Sequence, residues 1–310
     1  MEKKELQDRI RRLVKEKNAI LLAHNYQREE IQEIADLTGD SYELSVKASR
    51  TDAETIVFCG VRFMAESAKI LSPGKTVLLP NAHAGCPMAD MITARQLEGL
   101  RSQYPDAYVV SYVNTNADVK ALSDVCCTSS NAVAIVRAVP AKKVIFVPDK
   151  NLGSYVKKFA HKDMIVWNGY CPTHHHIYPE EIKLLKEKYP DAPFVCHPEC
   201  RPDVVELADK VTSTSGIIKF TKEDPHRRFI IGTEEGILYQ LRKNSPEKEF
   251  ILASNGFICP NMKRTRLEDI VLALEKNQHE ITLSPAIIEK ARLPLERMIE
   301  MGTVPADTQR

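Results

Sequence analysis

Short apolar runs recur along this chain, separated by stretches in which apolar residues return every three or four positions. NAILLAHNY, TIVFCG and KTVLLP begin the series, AYVVSYVN, KVIFVP and MIVWNG continue it, and APFVCHPE, RFIIGT and EFILAS end it. Short runs rich in β-branched residues predict strands, and the intervening stretches of roughly 10–15 residues predict amphipathic helices. TARQLEGLRSQ and PEEIKLLKEK are two of these helical stretches, and MEKKELQDRIRRLVKEKN sets Leu6, Ile10, Leu13 and Val14 on one stripe. Strands alternating with helices argue for parallel sheets covered by helices.

The series is also a repeat. YPDA occurs at 104–107 and again at 189–192, each time after a helical stretch and before an apolar run. Offsets of 88 and then 85 residues superpose much of three units. His24, Tyr112 and His197 coincide at the ends of the first strands, Asp36, Asp124 and Asp209 follow, and Ser41, Ser129 and Thr214 come next. The expected fold is α/β: three αβα sandwich domains related by a pseudo-threefold axis, with short parallel sheets around one central site. The expected boundaries are 1–88, 89–173 and 174–262. RLEDIVLALEKN and PAIIEKARLPLERMIEMG read as closing helices within 263–310, joined to the first unit and followed by a frayed tail, TVPADTQR.

Composition narrows the function. At 310 residues and 43% hydrophobic, the chain can bury a substantial core. A net charge of +1 gives no electrostatic case for nucleic acid or an anionic membrane. No apolar run approaches the roughly 20 residues of a bilayer span. The charged N-terminal stretch has no signal-peptide apolar region, so a cytoplasmic protein is expected, with its eight cysteines as thiols or metal ligands.

In open parallel sheets, ligands bind beyond the carboxyl ends of the strands. His24, Asn25 and Tyr26, then Tyr112 and Asn114, then His197 and Glu199 fall there. Ser41, Ser129 and Thr214 stand where helices are expected to begin. Each is a natural N-cap, and a helix N-terminus also suits a carboxylate or phosphate. Three such termini around one cavity would take a small polyanion.

Cys86, Cys171 and Cys259 each precede a proline and occupy equivalent points of the three units. Structural zinc draws on paired cysteines two to four residues apart, and none of these three has such a partner. Cys126-Cys127 and Cys196 with Cys200 lack the rest of a zinc set. Three thiolates fit a [4Fe–4S] cluster with one iron left open as a Lewis acid, suited to eliminating water.

The strings AHNYQ (23–27), GDS (39–41), MAE (64–66), GCPMA (85–89), YVNT (112–115), CTSSNA (127–132), Cys171-Pro172-Thr173-His174, VCHPEC (195–200), STSG (213–216), IGTEEG (231–236) and CPNMK (259–263) resemble the quinolinate synthase family from about residue 18 to about residue 300. The resemblance implies condensation of iminoaspartate with dihydroxyacetone phosphate to quinolinate, with loss of phosphate and two waters, in the de novo pathway to NAD. It implies a [4Fe–4S] cluster on Cys86, Cys171 and Cys259. His24 and Ser41 would hold a substrate carboxylate or phosphate, and Tyr112, Asn114, Ser129 and Thr214 would complete an anion-binding ring. His197 and Glu199 would bind substrate and serve acid/base steps with Tyr112, and Tyr26 would close over the site. Val113 and Pro198, inside the same strings, join the substrate-binding set. A transient contact with the enzyme supplying iminoaspartate is also implied.

One departure from the resemblance stands out. Some members carry a second cysteine three residues after the third ligand, where this chain has Met262, so that redox pair is absent. Cys59, Cys126, Cys127, Cys196 and Cys200 receive no role. Two other readings accompany the synthase: a cluster-dependent hydro-lyase of another small hydroxy acid, and a non-catalytic iron–sulfur sensor.

Overall fold

A computed structural model describes residues 2–302, so the expected frayed tail, TVPADTQR, lies outside the described residues. The apolar runs become strands β1 (Ala19–His24), β2 (Leu37–Gly39), β3 (Thr55–Cys59), β4 (Thr76–Leu78), β5 (Tyr108–Tyr112), β6 (Val125–Cys127), β7 (Lys143–Val147), β8 (Asp163–Val166), β9 (Phe194–Cys196), β10 (Lys210–Val211), β11 (Arg228–Gly232) and β12 (Glu249–Leu252). They form three four-stranded sheets ordered β2-β1-β3-β4, β6-β5-β7-β8 and β10-β9-β11-β12. Every pairing within the sheets is parallel. Parallel neighbours require crossovers, which the intervening helices supply.

Register repeats as faithfully as topology. Leu22 pairs with Leu37, Val110 with Val125 and Val195 with Lys210, and offsets of 88 and 85 carry each pair onto the next. The aspartate column shows why that register holds. The carboxylates of Asp36, Asp124 and Asp209 accept the N–H of Leu21, Val109 and Phe194 at 2.7, 2.7 and 2.8 Å. Each clamps the start of an edge strand to the central strand of its sheet.

The pleat sends neighbouring residues to opposite faces. Leu22, Val110 and Val195 enter one core shared by all three sheets. Leu21, Val109 and Phe194 enter three separate outer cores. Each such side chain contributes about 1.5–3 kcal/mol by leaving water, so the shared inner core holds the units together around their centre. On the outside of the first sheet, helix Leu267–Lys276 packs against helix Lys3–Glu16 through Leu6, Ile10, Ile270 and Leu274. Helix Pro285–Gly302 packs against helix Arg62–Leu71 of the first unit, and against β6 and helix Ala117–Lys120 of the second. The two closing helices therefore have different duties: one covers a sheet, and the other ties two units together.

Candidate active site

A cavity of about 130 Å³ lies where the carboxyl ends of the three sheets meet. His24, Tyr26, Ser41, Tyr112, Asn114, Ser129, His197, Glu199 and Thr214 all line it, together with Cys86, Cys171 and Cys259. The positions selected from strand ends and repeat columns thus converge. Val113 and Pro198 do not line it. The Val113 side chain is buried in the shared core and its N–H is spent on the Cys127 carbonyl at 2.8 Å. Pro198 faces a separate outer groove.

The helix starts differ from expectation in a useful way. Asp40 caps helix Ser41–Arg50 by accepting from the N–H groups of Tyr42 and Glu43, and Ser213 caps Thr214–Glu223 by accepting from Gly216. Ser41 and Thr214 are therefore first-turn residues with side chains released from capping. In the second unit the helix begins later, at Ala132, because Asn131 Oδ1 accepts the Thr128 N–H at 2.7 Å and forms a turn there. Ser129 sits on that turn, with Oγ 3.0 Å from His197 Nε2.

Glu199 is the hub of the polar network. Its Oε1 accepts from the Tyr112 hydroxyl at 2.6 Å, and its Oε2 lies 2.9 Å from His174 Nδ1. Burial by itself pushes this carboxyl up, but the neighbouring His197 and His174 rings and the Tyr112 donor outweigh it and hold Glu199 below the ordinary carboxylate range. Burial, followed by Glu199, keeps Tyr112 protonated by raising its pKa. His24 is pushed down to about 3 by burial and by His197, and His197 down to about 4 by burial, so both rings are neutral at pH 7. Tyr26 takes the Thr214 hydroxyl at 3.0 Å and lies 2.5 Å from Thr233 Oγ. Asn114 Oδ1 is a buried acceptor without a hydrogen-bond partner.

The thiols occupy equivalent loops, after β4, β8 and β12. Burial raises all three pKa values, Cys86 to about 12; neighbouring thiols add to the rise at Cys86 and Cys171, and Glu234 adds to it at Cys259. The Thr173 side chain lies beside Cys259 and opposes the rise there, so the second and third loops meet at the cavity. Among the described residues, the group of metal-ligand type whose donor atoms all lie within 4.8 Å of one another is a different one, Cys171, His174 and Glu199. His174 Nδ1 is 3.3 Å from Cys171 Sγ, so this ring joins the thiol end of the cavity to the carboxylate.

Reading the sequence for site residues missed His174, Thr233 and Glu234. His174 occupies the third position after Cys171, on the short helix Pro172–His175, where the other two cysteine loops have Ala89 and Met262. Glu234 accepts the Cys259 N–H at 3.0 Å and pairs with Lys263 at 3.0 Å, holding the third cysteine loop. The only signal for these residues was their place inside the strings CP-T-H and IGTEEG.

Three αβα units that direct a buried carboxylate, phenols, imidazoles and thiols into one small cavity define an enzyme acting on a small polar molecule. A family model described as quinolinate synthetase A protein matches residues 8–300. A quinolinate synthase of Geobacter sp. (strain M21) is 54% identical over 308 residues, covering 99% of this chain and 100% of its own. Those of Geobacter metallireducens and Thermodesulfovibrio yellowstonii are 56% and 55% identical, each covering 95% of this chain and 97% of its own. The chain belongs to the quinolinate synthase family, and it is an enzyme of that type.

Proposed function

We propose that this chain condenses iminoaspartate with dihydroxyacetone phosphate to quinolinate, releasing phosphate and two waters. The observation that carries the reading is the convergence of Cys86, Cys171 and Cys259 with the Tyr112–Glu199–His174 contact in one cavity. Both substrates are small anions, and Ser41 and Ser129 offer them hydroxyl donors around the cavity, while the Thr214 hydroxyl is given to Tyr26. The free acceptor Asn114 Oδ1 suits an N–H such as that of an imine.

Three soft thiols on separate loops fit a [4Fe–4S] cluster held by Cys86, Cys171 and Cys259. A single tetrahedral zinc would draw its sulfurs to about 3.8 Å apart, given Zn–S bonds of roughly 2.3 Å. These three are not a set within 4.8 Å, which favours the larger cluster. When bound, a cluster with an open iron supplies a Lewis acid for loss of a hydroxyl group. Its positive iron also offsets the burial that keeps these thiols protonated.

The protein's own groups handle binding and protons. Ionised Glu199 accepts a proton from a substrate carbon, and Tyr112, protonated and in contact with it, returns one to a leaving oxygen. Neutral His24 and His197 donate to substrate oxygens without adding charge, and Tyr26 closes the opposite wall. Units 1–88, 89–173 and 174–262 serve as three domains, each lending a strand-end pair: His24 and Tyr26, Tyr112 and Asn114, His197 and Glu199. No helix among the described residues is long and apolar enough to cross a membrane. A reducing cytoplasm suits the unpaired cysteines, and the hydrolytic lability of an imine favours brief contact with the enzyme that makes it.

The test is an anaerobic quinolinate assay of the wild type and of Cys86→Ala, Cys171→Ala and Cys259→Ala, with iron counted in each. The expected result is turnover in the wild type, and loss of both iron and turnover in every variant. An iron-loaded wild type that makes no quinolinate overturns the reading.

A further inference from the structure

We propose that Lys263 is a positioning residue for Tyr26: its amine, seated on the carboxylate that holds the third cysteine loop, fixes the backbone from which Tyr26 faces the cavity. Lys263 lies four residues after Cys259, in the single turn Met262–Arg264, and its side chain is 12% exposed. No lysine or arginine lines the cavity itself, which makes a cation placed just behind its wall notable.

Three oxygens converge on the amine. It lies 3.0 and 3.2 Å from the two oxygens of Glu234 and donates to the Tyr26 carbonyl at 2.8 Å. An ammonium group has three hydrogens and no acceptor, so these partners match its full donor set. Glu234 is fully buried and gathers the loop after β11 around itself: Oε1 accepts the Cys259 N–H at 3.0 Å, and Oε2 accepts the Gly236 N–H at 2.7 Å. Gly236 in turn lies against Tyr26, where a Cβ would stand 2.7 Å from both atoms of the Tyr26 carbonyl. The main chain of Lys263 is held from the same side, because Arg28 Nε and Nη2 donate to its carbonyl at 3.0 and 2.8 Å. Segment 26–28 and the third cysteine loop are thus tied by bonds in both directions.

The repeat does not supply this pair elsewhere. The residues four after Cys86 and Cys171 are Asp90 and His175, and the counterparts of Glu234 are Val61 and Asp149, so neither loop sets an amine beside a carboxylate. A buried ion pair carries a desolvation cost that apolar packing avoids. What it supplies here is position. The phenol end of Tyr26 takes the Thr214 hydroxyl and the backbone end takes the Lys263 amine, so the ring keeps a fixed place relative to Cys259.

This rests on the reading of Tyr26 and Cys259 as site residues, and the test separates the two. The variant is Lys263→Met combined with Glu234→Gln, in iron-loaded, full-length enzyme. Methionine keeps an unbranched side chain without the amine, and glutamine keeps an acceptor for the Cys259 N–H while leaving no unpaired charge buried. The N–H groups of Tyr26 and Gln27 bond to the His24 ring at 3.1 Å and the His24 carbonyl at 2.9 Å. Their hydrogen exchange is expected to quicken about 10–100-fold, the scale of losing one hydrogen bond from a charged donor. Val113, the second-unit counterpart of Asn25, bonds through its N–H to the Cys127 carbonyl at 2.8 Å and should keep its wild-type rate, whereas general loosening would move all three amides. Iron per chain should be unchanged, and kcat/KM should fall about 10–100-fold, as expected of a displaced site residue. Glu234→Gln alone retains the amine on the Tyr26 carbonyl and should keep exchange at Tyr26 and Gln27 slow. If the wild type makes no quinolinate, the reaction reading fails and the exchange rates still decide this inference. Wild-type exchange at Tyr26 and Gln27 in the double variant, an equal rise at Val113, or loss of iron overturns it, as does an unchanged kcat/KM in an enzyme that makes quinolinate.

Discussion

Tyr112→Phe removes one oxygen and leaves the ring's packing in place. The lost phenol donates to Glu199 Oε1 at 2.6 Å, in a pair buried from solvent. A hydrogen bond to a charged group contributes roughly 1.5–3 kcal/mol, so the variant should lose about that much stability at pH 7. At about 1.36 kcal/mol per unit, the same loss raises the folded pKa of Glu199 by roughly one to two units. The sign follows from the wild type, where Glu199 lies below its ordinary value. Its stabilising contribution is complete above the unfolded carboxylate range and is lost as pH falls through the folded value. In Tyr112→Phe that contribution is smaller, and its loss is complete at a higher pH. If Glu199 accepts the proton in the reaction, the acidic limb of kcat moves upward by the same roughly one to two units. Chemical denaturation at several pH values and a pH profile of kcat measure the two effects. An unmoved limb, together with stability within about 0.5 kcal/mol of wild type, would refute the reasoning, because that is the scale of a surface substitution with no partner.

Two further outcomes can be checked in the same preparations. Asp36→Ala, Asp124→Ala and Asp209→Ala each remove one strand clamp. Because these carboxylates are partly exposed, each change should cost a similar ~0.5–1.5 kcal/mol in denaturant unfolding, and pairs in different units should add; one silent site would break the equivalence of the units. Burial and the nearby Glu43 push Asp40 up to about 6. The native state therefore holds this proton more tightly than the unfolded chain does, and wild-type stability falls as pH rises from about 4 to 6. Asp40→Asn keeps a helix cap without the charge, so its stability relative to wild type should grow across that window and then level off; a constant difference would contradict the burial argument.

Much of the site was legible because it is repeated. The offsets that superpose His24, Tyr112 and His197 also superpose Tyr26, Asn114 and Glu199, and then Ser41, Ser129 and Thr214. Strand ends at a common register must face a common centre, so nine polar residues could be placed from spacing alone, and the cavity lining contains all nine. His174 and Thr233 were not legible in this way. Their counterparts, Ala89 with Met262 and Gly60 with Pro148, have no matching chemistry. They work only by being packed against side chains far away in the chain: Thr233 against Tyr26, and His174 against Glu199.

Apolar periodicity and the twofold recurrence of one spacing were enough to determine three parallel αβα units and to bring three Cys-Pro steps to equivalent loops. These are local rules of pleat, crossover and register, and a single chain displays them directly. Tertiary structure decided which polar atoms meet. It made Glu199 a carboxylate gripped by a phenol from one unit and an imidazole from a cysteine loop, and released Ser41 and Thr214 from capping. It also turned the lone hydroxyl of Thr233 into a link between Tyr26 and His174. Those outcomes depend on distances of about 3 Å between residues that are remote in sequence, and no pattern along the chain encodes distances of that kind.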